Sequence, residues 1–122
     1  MISAFFVFLG GGIGAILRYL ISKGTILLYK GHFPLSTLFS NFLSCLIVGL
    51  FLTILSDSKS INSNIKVFVI IGLCGGLSTF STFSLETMQL LKSGNYYWAF
   101  VNVLFSIFTC FGLLLIFYKK LV

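Results

Sequence analysis

The sequence predicts an all-α membrane protein: four transmembrane helices in one domain, residues 1–122, with the third helix broken near its middle. Three observations predict it. Long stretches carry no charge, in a chain that is 58% hydrophobic with eight Lys/Arg and two Asp/Glu. A span needs roughly 20 apolar residues, so this length holds about four. The third stretch carries paired glycines followed by a cluster of hydroxyl residues, a poor recipe for an uninterrupted helix in lipid. Finally, the positive charges divide evenly between the two sides of a four-span chain. That balance lets the chain insert both ways and pair as an antiparallel dual-topology homodimer.

The composition also excludes whole classes of function. A mean hydropathy of +1.13 is far from that of soluble domains, where about a quarter of residues are charged. A soluble enzyme, a secreted disulfide scaffold and a disordered chain are ruled out, and no room is left for a catalytic domain. The net charge of +6 does not make a nucleic-acid binder, because Lys and Arg occur one or two at a time. A phosphate backbone needs a continuous basic face. Scattered Lys and Arg at span ends instead snorkel to lipid headgroups. Cys45, Cys74 and Cys110 lie in apolar runs without CxxC spacing, so neither a disulfide framework nor a zinc site is expected.

The first span is expected over about 2–22. Residues 1–17 are charge-free and Arg18 and Lys23 follow. The apolar run begins at Ile2 without a basic leader, so a membrane helix is expected rather than a cleavable signal peptide. Its glycines form a packing face. Arg18 either snorkels or sits in a vestibule where it raises the local anion concentration. A short amphipathic piece over 25–29 leads to the turn Lys30-Gly31-His32-Phe33-Pro34, with His32 read as interfacial.

The second span is expected over about 34–56, and the polar loop from Asp57 to Asn64 follows. Asn41 lies within it, where an unpaired amide in hydrocarbon is costly. It must face a partner or a water-filled path. Its two N–H donors suit transient coordination of a small anion; a plain interhelical hydrogen bond is the alternative.

The third span is expected over about 65–91 and reads Gly72-Leu73-Cys74-Gly75-Gly76-Leu77-Ser78-Thr79-Phe80-Ser81-Thr82-Phe83-Ser84. Irregular backbone at membrane depth survives only when buried in protein or lining a polar cavity. A broken helix there exposes carbonyl and N–H groups near the midplane, where they can bind ions. Close packing through small residues is the alternative. Phe80 and Phe83 are three apart and share a face, and their positive ring edges can hold an anion weakly. Ser81 and Thr82 supply hydroxyl donors. Glu86 can form a salt bridge, cap a vestibule or take part in ion passage.

The turn Ser93-Gly94-Asn95 leads to a fourth span over about 95–118. Asn102 and Ser106 are four apart and form a polar stripe on one face. The short connections make neighbouring helices antiparallel. The second loop and the C-terminus then share a side with Lys59, Lys66, Lys119 and Lys120. Arg18, Lys23, Lys30 and Lys92 lie on the other, four against four.

These motifs resemble those of the CrcB/Fluc fluoride channels. Gly11-Gly12-Ile13-Gly14-Ala15-Ile16-Leu17-Arg18-Tyr19 is similar to the family's first-helix motif. Thr37-Leu38-Phe39-Ser40-Asn41 is similar to its second, continued by Gly49, and residues 72–86 resemble its most diagnostic stretch. Two departures are Ser78, where the family usually has Thr, and Cys110, where a second Ser of the polar stripe is expected. The resemblance implies a dual-topology homodimer with two fluoride pores in a bacterial inner membrane, expelling fluoride that entered as HF. It also implies a structural Na+ at the dimer interface, held by the backbone carbonyls of Gly75 and Ser78. In that arrangement Asn41, Phe80, Phe83, Ser81, Thr82, Ser106, Asn102 and Glu86 mark the fluoride pathway, with Arg18 in the vestibule. The rivals are a proton-coupled small multidrug exporter and a non-catalytic membrane-complex subunit. The exporter needs an acid in its first helix, and residues 1–17 hold none. The subunit explains the packing glycines but not the hydroxyl-rich break.

Overall fold

The computed structural model describes residues 1–58 and 60–121, with side chains described as far as Lys119. Lys59 and the side chain of Lys120, two of the charges in the four-to-four balance, lie outside the described residues. Every regular element among the described residues is helical. Helix α1 spans Ile2–Leu28 and α2 spans Leu35–Asp57. The third span covers Ser63–Lys92. Within it α3 (Ser63–Lys66) runs into a π-helical stretch (Val67–Cys74) and α4 (Gly75–Leu77). Two extended residues then separate these from α5 (Phe80–Lys92), and α6 spans Tyr96–Leu121. Among the described residues, four helices are thus long and apolar enough to cross a membrane.

Lipid-facing chemistry shows in the burial pattern. Large apolar side chains lie outside: Phe8 is 73% exposed, Phe108 70% and Phe111 67%. The buried set includes Thr37, Ser40, Ser44, Asn102 and Ser106. A water-soluble fold reverses that arrangement. At one end of the bundle Phe33 packs edge-on against Trp98, next to Tyr97, as an interfacial aromatic belt requires.

Close helix approach explains part of the glycine content. In α1, Gly10 and Gly14 are buried. A Cβ at Gly14 would overlap the Leu73 carbonyl, and one at Gly10 the Phe68 carbonyl. From the other side, a Cβ at Gly76 would overlap the Gly11 carbonyl, and one at Gly72 would lie 2.9 Å from the Gly10 Cα. Both helices carry small residues four apart, which lets the backbones touch.

Helix α1 stays helical to Leu28, beyond the expected span end at residue 22, since nothing between Lys23 and Leu28 breaks it. Arg18 lies inside this helix, as expected, and Lys23 does too. The expected turn after α5 forms as a Schellman motif: Asn95 N–H donates to the Leu90 carbonyl (2.9 Å) and Gly94 N–H to that of Leu91 (3.1 Å). Gly94 has φ +80°, which its missing Cβ permits. The π-helical winding of Val67–Cys74 was not signalled by residue spacing.

Candidate functional site at the helix break

The interruption falls at Ser78 (φ −80°, ψ 155°) and Thr79 (φ −153°, ψ 121°). Four side chains surround it with hydrogen bonds: those of Asn41, Ser44, Ser78 and Thr79. Thr79 N–H donates to Asn41 Oδ1 at 2.7 Å, while Asn41 Nδ2 donates to the Thr79 carbonyl at 3.3 Å. One amide thus satisfies both backbone groups of an extended residue that no helix ladder serves. Thr79 Oγ1 caps α5 by accepting from Thr82 N–H at 3.2 Å. The Cys74 carbonyl takes three donors: Ser78 N–H (2.9 Å), Ser78 Oγ (2.7 Å) and Ser44 Oγ (2.9 Å).

This capping has a consequence for the carbonyls. In a continuous helix, Thr79 N–H would bond the Gly75 carbonyl and Thr82 N–H that of Ser78. Here both donors are turned to side-chain oxygens, so the two carbonyls lose their ladder partners. Gly75 is exposed, and a Cβ there would meet nothing within 4 Å. The Gly76 carbonyl instead accepts from Arg18 Nε at 3.0 Å. A cation at the end of this half-helix complements its dipole.

Two cavities of about 310 Å³ each share Thr79 as a wall. One is polar. Arg18 and Ser22 of α1, Thr37 and Ser40 of α2, and Thr82 and Glu86 of α5 line it. Glu86 Oε1 accepts from Thr37 Oγ1 at 2.8 Å, while Oε2 is buried without a partner among the described residues. The other cavity is mostly apolar and more open. Asn41 and Cys45 of α2, Phe80 and Phe83 of α5, and Ser106 and Cys110 of α6 border it, together with Ser78. The Phe80 and Phe83 rings lie 5.8 Å apart, tilted by 39°. Phe80 is 79% exposed on the single chain.

The structure therefore brings Asn41, Phe80, Phe83 and Ser106 to one cavity, and Arg18, Thr82 and Glu86 to the other. Ser81 is exposed, with its hydroxyl 3.4 Å from Thr79 Oγ1. Asn102 lines neither cavity. It is 1% exposed, donates to Thr87 Oγ1 at 2.9 Å and accepts from Ser106 Oγ at 3.5 Å. The sequence reading missed Thr79, which pairs with Asn41 and caps α5. It also missed Thr37, which holds Glu86, and Ser44, which bonds the Cys74 carbonyl. A signal existed: Thr37, Ser40, Asn41 and Ser44 fall at i, i+3, i+4 and i+7, one helix face.

The sequence matches known proteins over most of its length. A family model described as "CrcB-like protein, Camphor Resistance (CrcB)" matches residues 5–118. The chain is 46% identical over 110 residues to a fluoride-specific ion channel FluC from Phocaeicola vulgatus, covering 88% of each chain. It is 42% identical over 107 residues to a protein of that name from Clostridium perfringens, covering 88% of this chain and 84% of the relative. A third, from Pyrococcus abyssi, is 46% identical over 99 residues, covering 81% and 79%.

Proposed function

The chain belongs to the CrcB-like family, and from that premise we propose that it is a fluoride-specific ion channel of the bacterial inner membrane. It works as an antiparallel dual-topology homodimer. Cytoplasmic fluoride leaves through it down the electrochemical gradient, which lowers fluoride toxicity.

The observation that carries this reading is the Asn41–Thr79 junction, where a neutral amide fixes a helix break between a polar cavity and a phenylalanine-lined one. Fluoride is small and strongly hydrated, so a pore must replace its water with donors. Binding must also stay weak enough for release. Neutral donors meet both demands; a fixed positive charge at the midplane would trap the ion. Arg18 borders the polar cavity and raises the anion concentration there. Thr82 and Ser81 offer hydroxyls, and Glu86, held by Thr37, borders the path. One Asn41 N–H is engaged by Thr79, leaving the second for the ion. Phe80 and Phe83 then present ring edges, with Ser106 beyond them. Asn102 acts as a positioning residue through Ser106 and Thr87.

Dimerisation is supported by the near balance of flanking charge. Arg18 is turned into the bundle, and the remainder is four against three. The high exposure of Phe80 fits a partner chain facing it, so that each pore uses both copies. A structural Na+ between the two breaks fits the freed carbonyls of Gly75 and Ser78, since sodium prefers hard oxygen ligands. Bound there, it would supply the positive charge that holds two half-helix ends together. An exporter driven by protons is disfavoured, because α1 contains no Asp or Glu. Expression in cells stripped of their own fluoride export tests the proposal. Growth in millimolar fluoride should return with the wild-type chain and not with Asn41→Asp.

A further inference from the structure

Conduction leaves two side chains of the phenylalanine-lined cavity unused. Cys45 and Cys110 both border it. On α2, Asn41 and Cys45 are four apart; on α6, so are Ser106 and Cys110. Each pair therefore shares a helix face. The two faces meet where α2 packs on α6, so that Cys45 and Cys110 both face the same cavity from different helices. Both cysteines are free and half-buried. The third, Cys74, is 3% exposed.

Two thiols on different helices, in an apolar pocket with few hard oxygen donors, select soft metals. A d10 cation with linear coordination needs only two sulfurs. At metal–sulfur distances of about 2.3 Å the sulfurs stand about 4.6 Å apart. The cavity beside the pair gives the side chains room to spread that far. We propose that Cys45 and Cys110 form a binding site for a soft, linearly coordinated cation of the class of Hg2+, Ag+ and Cu+. An ion held there closes the path beside Phe80 and Phe83; the closure, though not the site, rests on the channel reading above.

With HgCl2 as the probe, no redox change occurs. Two Hg–Cl bonds break, two Hg–S bonds form, each thiol gives its proton to solvent, and two chlorides leave. HgCl2 is neutral and reaches the pocket without crossing the membrane as an ion.

The test uses the purified full-length dimer, with bound mercury and remaining free thiols both counted after gel filtration. The wild type should hold one mercury per chain and lose two of its three thiols. Cys45→Ser and Cys110→Ser should lose one thiol per mercury. A competing monothiol should strip these variants at a concentration at least about tenfold lower, since the second sulfur no longer acts at high effective concentration. One thiol lost per mercury in the wild type, or equal retention in both variants, would overturn the site. In proteoliposomes, HgCl2 should cut wild-type fluoride efflux at least about tenfold, the equivalent of about 1.4 kcal/mol. The doubly substituted protein should be insensitive, whatever its basal rate. Bridged mercury with unchanged efflux would overturn the closure alone. If no version passes fluoride even without mercury, the channel reading fails, and the thiol count still decides the site.

Discussion

Asn41→Asp isolates the electrostatics of the path from its shape. The substitution swaps an N–H2 group for an oxygen and leaves the volume nearly unchanged. The acceptor that holds Thr79 N–H at 2.7 Å survives, while the donor to the Thr79 carbonyl at 3.3 Å is lost. The lost bond costs about 1 kcal/mol, and a carboxylate against a carbonyl adds to it. The larger effect falls on the permeating ion. A fluoride passing within about 4 Å of a full negative charge meets a repulsion of about 4 kcal/mol at an effective dielectric constant of about 20. That converts to about a thousandfold in rate. The assay is fluoride efflux from proteoliposomes under a potassium–valinomycin clamp, read with a fluoride electrode, beside a sizing column that reports the dimer. Efflux should fall to background while the dimer peak stays. Wild-type efflux from an intact Asn41→Asp dimer would refute the placement of Asn41 on the path.

Other outcomes follow from the same geometry. Phe80→Ile and Phe83→Ile remove the positive ring edges but keep apolar bulk, and each should slow efflux at least about tenfold without disturbing the dimer. Gly14→Val should cost about 3 kcal/mol, because its Cβ overlaps the Leu73 backbone, whereas Gly12→Ala meets nothing within 4 Å and should leave the melting temperature unchanged. Ser78→Ala loses one of three donors to the Cys74 carbonyl, a cost of about 1 kcal/mol. It should still show sodium-dependent stabilisation of the dimer in thermal melts, because a backbone carbonyl is the proposed ligand. Reporters fused to the C-terminus, one active on each side of the membrane, should both give signal; a single-sided result would end the dual-topology reading.

Much of this architecture can be read directly from residue type. Charge-free runs mark four spans because lipid tolerates little else. The Gly72-to-Ser84 stretch announces a break because glycines and hydroxyls are poor helix formers in lipid. Its location is subtler. The glycines are not where the chain departs from helix: Gly75 and Gly76 remain helical, and Ser78 and Thr79 are extended. What fixes the break is capping from another helix, by Asn41, and local capping by Thr79. A span-by-span scan does not show such pairings, because they join residues 38 positions apart. Arg18 teaches the same lesson. Spacing alone puts it at the end of the first span, but its partner is a carbonyl on the third. Among the expected pathway residues, Asn102 sits at the expected helical spacing from Ser106, and its amide bonds Thr87 and Ser106 inside the bundle. The stripe of Thr37, Ser40, Asn41 and Ser44 was legible at helical spacing and becomes meaningful once the third span is known to face it.

Selective passage of fluoride is measurable in a two-ion efflux experiment. Purified protein is reconstituted at low density into liposomes loaded with potassium fluoride or potassium chloride. Efflux is started with valinomycin and followed with an electrode for each ion. Rapid fluoride release beside chloride release no faster than from protein-free liposomes is the predicted result. Equal release of both ions, or release of neither from a folded dimer, would contradict the account.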